Sequence, residues 1–377
     1  MMIKMMKRLA ALLLALLLLL SCFAFAEEDP ETEEISDTET EELSDTETEE
    51  LSETETEETP DAGTEEEQPE DETVTEKDGW HFNAKGFLTG DSNPGEEYLV
   101  EDEKNGIWEY ASRNLSVKVT RFEEKTKKKK KQIYVVAEVW ASEESPLGAI
   151  QSDPKSTLKF KGEALPGIEQ RVVTDLIEKH PSVLAVSDDM YGLRITPVGR
   201  GKTKYDYHGV VIRNGEVIAT KTRNSQKKRP WPNMDTLAVN KDGSMKSYDC
   251  DALTADEYLE KGAVQVFAFG PWLISEGEIN PNLAKINNYS EPRAAIGMVE
   301  PFHYILIVTA GRPTSKYQGY KLTWLAEKLK EYGCTEALNL DGGDTVAVAF
   351  NNKVILHGNM EAKKLRNLGS MIAFGLR

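Results

Sequence analysis

The chain has 377 residues, with 65 acids against 45 lysines and arginines and a formal net charge of −20. The acidity is local: residues 27–77 carry 26 acids and one lysine, a net of −25, and residues 1–26 add +3, which leaves 78–377 at about +2. A nearly neutral body gives no sign of a nucleic-acid partner, its one basic run, Lys125 with Lys127–Lys131, reading as a solvated hairpin tip, and so few cysteines make no disulfide framework.

Residues 1–26 read as an export signal. Lys4, Lys7 and Arg8 precede an apolar run, Leu9 to Leu20, and Ala24-Phe25-Ala26 supplies a cleavage site. The run is too short for a membrane span. Leu19-Leu20-Ser21-Cys22 also fits a lipoprotein box acylated at Cys22, so the expected location is secreted or cell-surface. Residues 27–77 repeat an eight-residue unit, seen at Glu33–Thr40, Glu41–Thr48 and Glu49–Thr56. One apolar residue per unit cannot offset ordering entropy among like charges, which predicts a disordered acidic tether. An alternative role for it is binding a basic surface or calcium.

Residues 78–377 are expected to form one large domain, since no Pro, Ser or Gly-rich linker divides them. Leu115–Thr120 and Ile133–Trp140 predict a hairpin around the basic tip Lys125–Lys131. Val172–His180 has helical spacing closed by Pro181. Ser182–Ser187 is a buried strand running into Asp188-Asp189. His208–Ile218 is a hairpin about Asn214-Gly215. Strands follow at Leu237–Asp242 and Met245–Tyr248, then a short helix, Thr254–Gly262, and a strand from Val264 broken at Gly270-Pro271, where the chain must bend or lie at an edge. Arg293 leads into the apolar strand Tyr304–Thr309, which ends in Gly311-Arg312. A helix, Tyr320–Tyr332, buries Leu322, Leu325, Ala326 and Leu329 and stops at Gly333. The next strand ends at Asn339-Leu340-Asp341-Gly342-Gly343-Asp344-Thr345.

That strand, helix, strand order predicts a βαβ unit with parallel neighbours, placing Arg312 and Asp341 on one sheet rim. The Asp-Gly pair equally fits a plain hairpin turn into Thr345–Phe350. The overall expectation is an α+β or mixed α/β domain, a mixed β-sheet flanked by helices. Cys250 and Cys334 could pair or remain thiols. The five histidines have no metal-ligand spacing, and no catalytic Ser-His-Asp or P-loop pattern occurs.

The succession Ala185–Gly192, Gly209–Gly215, Phe269-Gly270-Pro271 with Glu276-Gly277, Arg293–Gly297, Gly311-Arg312 and Asn339–Gly343 resembles the phosphodiester glycosidase family, the uncovering-enzyme-like domain also found in secreted, exopolysaccharide-associated bacterial proteins. Order and rough spacing agree from about Trp80 to Arg377. The resemblance implies a hydrolase of sugar-1-phosphodiesters acting on a phosphorylated glycan, with no resident cofactor. Three motif positions depart from the family. Ser187-Asp188-Asp189 stands for Asn-Gly-Asp, Ala310-Gly311-Arg312 for Asp-Gly-Arg, and Asp344-Thr345 for Gly-Ser.

Arginine pairs phosphate oxygens in a bidentate fork, so Arg293 and Arg312 are the candidate phosphate ligands. The anomeric carbon becomes oxocarbenium-like and needs a carboxylate. Asp341 is the first candidate, with Asp189 and Asp344 as second acids. Gly342, Gly343, Thr345, Tyr191 and Gly270 complete the expected substrate-binding set. Asp188, Asp189, Asp341 and Asp344 would also suit calcium or magnesium. Two functions stay open: an exported hydrolase cleaving phosphoglycosidic bonds, or a non-catalytic glycan-binding or envelope-assembly module of the same family.

Overall fold

In the computed structural model, residues 74–377 are described apart from 91–93, 152–156, 161–162, 167–170, 190–207, 224–231, 287, 315 and 363–364. They fall within the unit Gln68–Arg377. The signal segment, most of the tether, Cys22 and Tyr191 lie outside the described residues.

The predicted basic-tipped hairpin forms from β1 (Ser116–Lys125) and β2 (Lys131–Trp140), in register along ten positions. Helix α1 (Val173–Lys179) buries Val173, Leu176 and Ile177, as its spacing requires. Strand β3 (Ser182–Ser187) is buried throughout. Strand β4 (Val211–Arg213) turns at Asn214-Gly215, and β5 (Asp235–Asn240) pairs with Met245–Tyr248. Helix α2 (Ala255–Glu260) begins in a capping box: the Thr254 hydroxyl accepts from the Glu257 amide while Glu257 accepts from Thr254. Strand β6 (Ala263–Phe269) ends at a cis Gly270-Pro271 bond, beyond which β7 (Trp272–Ser275) joins a different sheet. Strands β8 (Arg293–Glu300) and β9 (His303–Ala310) form a long hairpin. Helix α3 (Leu322–Glu331) follows, then β10 (Glu336–Asn339), β11 (Ala347–Phe350), β12 (Lys353–His357) and β13 (Ser370–Leu376).

A nine-stranded sheet runs Glu278–Ile279, β7, β10, β8, β9, β2, β1, Ile107–Ala111, Tyr98–Asp102. A five-stranded sheet runs β12, β11, β3, β13, Gly148–Gln151, and another runs Glu216–Ala219, β4, β6, β5, Met245–Tyr248. Pairing between the described strands is antiparallel throughout, and three α-helices occur among the described residues. The fold is therefore mostly antiparallel β, not the helix-flanked mixed sheet expected from the sequence. The βαβ reading is corrected at one point. Strands β9 and β10 do run in the same direction, but β8 lies between them, antiparallel to both. A tight β8–β9 turn lets β8 take the place beside β9 that the βαβ reading gave to β10.

Strand β9 explains why its run does not alternate. Tyr304, Leu306, Val308 and Ala310 enter the core between the sheets, whereas Ile305 and Ile307 pack under α3. Both faces are covered, so both carry apolar residues. Leu322, Leu325 and Leu329 of α3 are fully buried there, each contributing on the order of 2 kcal/mol. Cys334 is buried in this second core and Cys250 is half-buried; neither is in a disulfide.

Candidate functional site

One rim of the nine-stranded sheet gathers the start of β8 and the ends of β9 and β10. Leu338 and Leu340 face the inter-sheet core. The Leu340 amide still bonds to the Ala294 carbonyl at 2.8 Å, but the Asp341 amide leaves β8 and donates to the Asp188 carbonyl at 3.0 Å. Gly343–Thr345 then makes one 3₁₀ turn, and β11 enters the sheet that contains β3. The hairpin alternative for this stretch is thus overturned: Asp341 sits where the chain crosses from one sheet to another.

The paired glycines permit that crossing. A Cβ on Gly342 would stand 2.6 Å from the Pro292 carbonyl oxygen, a contact the backbone could relieve only by shifting. Gly343 has φ +69°, and a Cβ there would meet the Arg312 guanidinium at 2.7 Å. Its amide donates to the Pro292 carbonyl at 2.9 Å. The half-buried Asp341 carboxylate is oriented locally. One oxygen accepts from the Gly342 amide at 2.9 Å and the other from the Thr345 hydroxyl, which also reaches the Gly342 carbonyl.

Arg312, just past β9, is 38% exposed at its side chain. Its Nε donates to Asp344 at 3.1 Å and its Nη1 to Glu291. Burial works against its charge, but the two acids outweigh this and hold its pKa above the ordinary arginine value. Arg293 opens β8 and is almost wholly buried. Its amide donates to the Thr309 hydroxyl and its Nη2 to the Tyr289 carbonyl, both at 2.9 Å. Burial pulls its pKa down to about 10, with Arg312 adding to the effect and Glu291 opposing it, so both guanidinium groups are cationic at neutral pH. Arg293, Arg312, Asp341 and Asp344 therefore share one rim.

Asp189 pairs with a buried arginine. Asp188 and Asp189 are 2% and 0% exposed, and the Nη2 of Arg213 bridges both carboxylates. Arg213 also donates to the Val266 carbonyl at 2.6 Å and lies over the Phe267 ring at 4.3 Å. Asp189 further accepts from the Ala268 amide, and Asp188 from the Ser370 hydroxyl. The pair is buried, and the Asp188 carbonyl links it to the rim by accepting from the Asp341 amide. Gly270 is likewise a support: its carbonyl accepts from Asn339 Nδ2 at 2.8 Å and its amide donates to the Asn339 carbonyl at 3.1 Å. Among the described residues no group of three or more His, Cys, Asp or Glu side chains is arranged to hold a metal ion.

Two participants escaped the sequence reading. Glu291 sits two residues before Arg293 in an unremarkable Ser-Glu-Pro-Arg run, and nothing local marks it. Arg213 stands before an Asn-Gly turn, which accounts for the hairpin and hides the cation's destination. A cleft of about 520 Å³ opens elsewhere, by Tyr304 at the opposite end of β9. It is lined by residues such as Glu143, Asn214, Lys241, Gln265 and Leu376, with none of the rim residues.

Residues 185–375 match the family model described as phosphodiester glycosidase, a span that includes the whole rim and Arg213. Over 119 residues the chain is 31% identical to the SPbeta prophage-derived uncharacterized protein YomE of Bacillus subtilis strain 168. That match takes in 30% of this chain and only 18% of that protein's length. Among solved structures, the catalytic domain of zebrafish N-acetylglucosamine-1-phosphodiester alpha-N-acetylglucosaminidase, auto-inhibited by its pro-peptide, aligns with a TM-score of 0.50 and 16% identity. The alignment covers 76% of this chain and 90% of that one, a likeness of fold. A hypothetical protein from Synechocystis aligns with a TM-score of 0.46 at 10% identity, covering 76% and 69% of the two chains.

Proposed function

Because the chain belongs to the phosphodiester glycosidase family, we propose that it is an exported hydrolase cleaving sugar-1-phosphodiester bonds in extracellular or cell-surface glycans. The acidic segment 27–77 would serve as its tether. The observation that carries this reading is the meeting of Arg293, Arg312 and Asp341 at one rim, two cations beside one oriented carboxylate.

The leaving group is a phosphate monoester, already weakly basic, so protonating it matters less than gripping its charge. Arg312 offers the accessible fork and Arg293 a second, desolvated positive charge behind it. Asp341, fixed by Gly342 and Thr345, stabilises the oxocarbenium-like carbon or activates water. Asp344 and Glu291 are the candidate second acids. Gly342 and Gly343 let the backbone pack against Pro292 and Arg312, which brings the Asp341 loop up to the Arg312 cation. Asp189 acts through position, holding Asp188 under Asp341.

The test is sugar release by the purified protein from a panel of sugar-1-phosphodiesters, including a UDP-sugar and a sugar-phosphate-mannoside. Turnover supports the reading, and its absence across the panel sinks it. The alternative reading is a non-catalytic glycan-binding or envelope-assembly module of the same family. It predicts saturable binding of the same diesters without turnover.

A further inference from the structure

We propose that Tyr289 is the platform that receives the group beyond the phosphate, an aglycone sugar ring; this deepens the reading above and rests on it. Among the described residues Tyr289 is the only exposed aromatic side chain, at 71%. An aromatic face left in water gains nothing from the fold, and among the described residues the other large exposed apolar side chains are Val74, Leu99 and Leu376, all remote from it in sequence.

The backbone that carries this ring is nevertheless fixed on both sides. Before it, the Asn288 side chain accepts from the Thr323 amide at the start of α3, at 3.3 Å. After it, Glu291 exchanges two backbone bonds with Tyr320, at 3.1 and 3.0 Å. The Tyr289 carbonyl itself is held by the Arg293 guanidinium. One short segment thus ties an exposed ring to one of the cations assigned to the phosphate and to Glu291, the partner of the other. We therefore assign to the ring the group esterified to that phosphate, since the backbone bearing the ring is bonded to a phosphate-binding cation. A pyranose presents an apolar C–H face that covers an aromatic ring, and its hydroxyls stay in water at the edge.

The test compares two diesters of N-acetylglucosamine 1-phosphate, one esterified to O6 of methyl mannoside and one to methanol. Tyr289→Ala should raise KM about tenfold for the mannoside diester and leave the methyl diester unchanged, with kcat preserved; Tyr289→Phe should restore KM. Equal effects on both diesters, or none, would overturn the platform while leaving the hydrolase reading standing. If the unaltered protein turns over neither diester, Kd by calorimetry replaces KM in the same comparison. A selective loss of mannoside-diester binding then supports the platform within a binding module. The absence of binding to either diester overturns it.

Discussion

The Asp341 amide donates to the Asp188 carbonyl at 3.0 Å, which joins the loop leaving β10 of the nine-stranded sheet to the loop leaving β3 of its neighbour. The two acids lie 153 positions apart in the sequence, and the site exists because this junction holds. Asp188 gives its carbonyl to the rim and its carboxylate to Arg213, so the geometry of Asp341 depends on a buried ion cluster below it.

Asp341→Asn keeps an oxygen that can accept from Gly342 but removes the charge facing the reacting carbon. Turnover of a sugar-1-phosphodiester should fall on the order of a thousandfold with the circular dichroism spectrum unchanged. Retention of more than a tenth of the activity would remove Asp341 from the reaction.

Arg213→Met would leave Asp188 and Asp189 buried beside an apolar group. Losing one partner of such a cluster costs about 3–5 kcal/mol, which denaturant unfolding would register. Neutralising both acids as well, in Arg213→Met with Asp188→Asn and Asp189→Asn, should recover much of that loss. A single variant as stable as the parent would show that the cluster is dispensable.

Asp344 and the substrate phosphate compete for Arg312. Both side chains are well exposed, so the pair is worth at most about 1 kcal/mol. Asp344→Asn should therefore tighten inorganic phosphate up to about fivefold by calorimetry, with the gain shrinking as salt rises. Arg312→Ala should abolish the binding, and unchanged affinity in both variants would exclude Arg312 as the phosphate ligand.

Ala310, where the sequence resemblance leads to the expectation of an aspartate, is fully buried among the apolar residues between the sheets. Ala310→Asp should destabilise by about 3 kcal/mol or more, rather than recover a lost function. Thermal melting decides this: an undiminished Tm would mean that a partner awaits the acid there.

His357 pairs with Ala347 in register beside the rim crossing, and its partial burial pulls its pKa below the ordinary value. The unfolded chain takes up this proton near pH 6.5, before the folded chain does, so stability is lost as pH falls below about 6.5 toward the folded value. His357→Asn should flatten that part of the Tm against pH curve, and an unchanged slope would assign the effect to other groups.

Much of the local structure was legible in residue order. The β1–β2 hairpin, α1, α3 with its four buried positions, and the bend at Gly270-Pro271 follow from periodicity, capping and the missing proline donor, all of which act within a few residues. The rim was half legible: β9 and β10 do bring Arg312 and Asp341 to the same end of one sheet, as a strand, helix, strand order implies. Only the tertiary structure decided that β8 lies between them and that the described strands pair antiparallel, because pairing partners are chosen by whichever strand is nearest when the chain folds back. It also decided that Asp189 turns inward to Arg213 and that Glu291 completes the grip on Arg312. Charges are expensive to bury alone, so each found a partner, and those partners are separated by tens of residues that no local pattern connects.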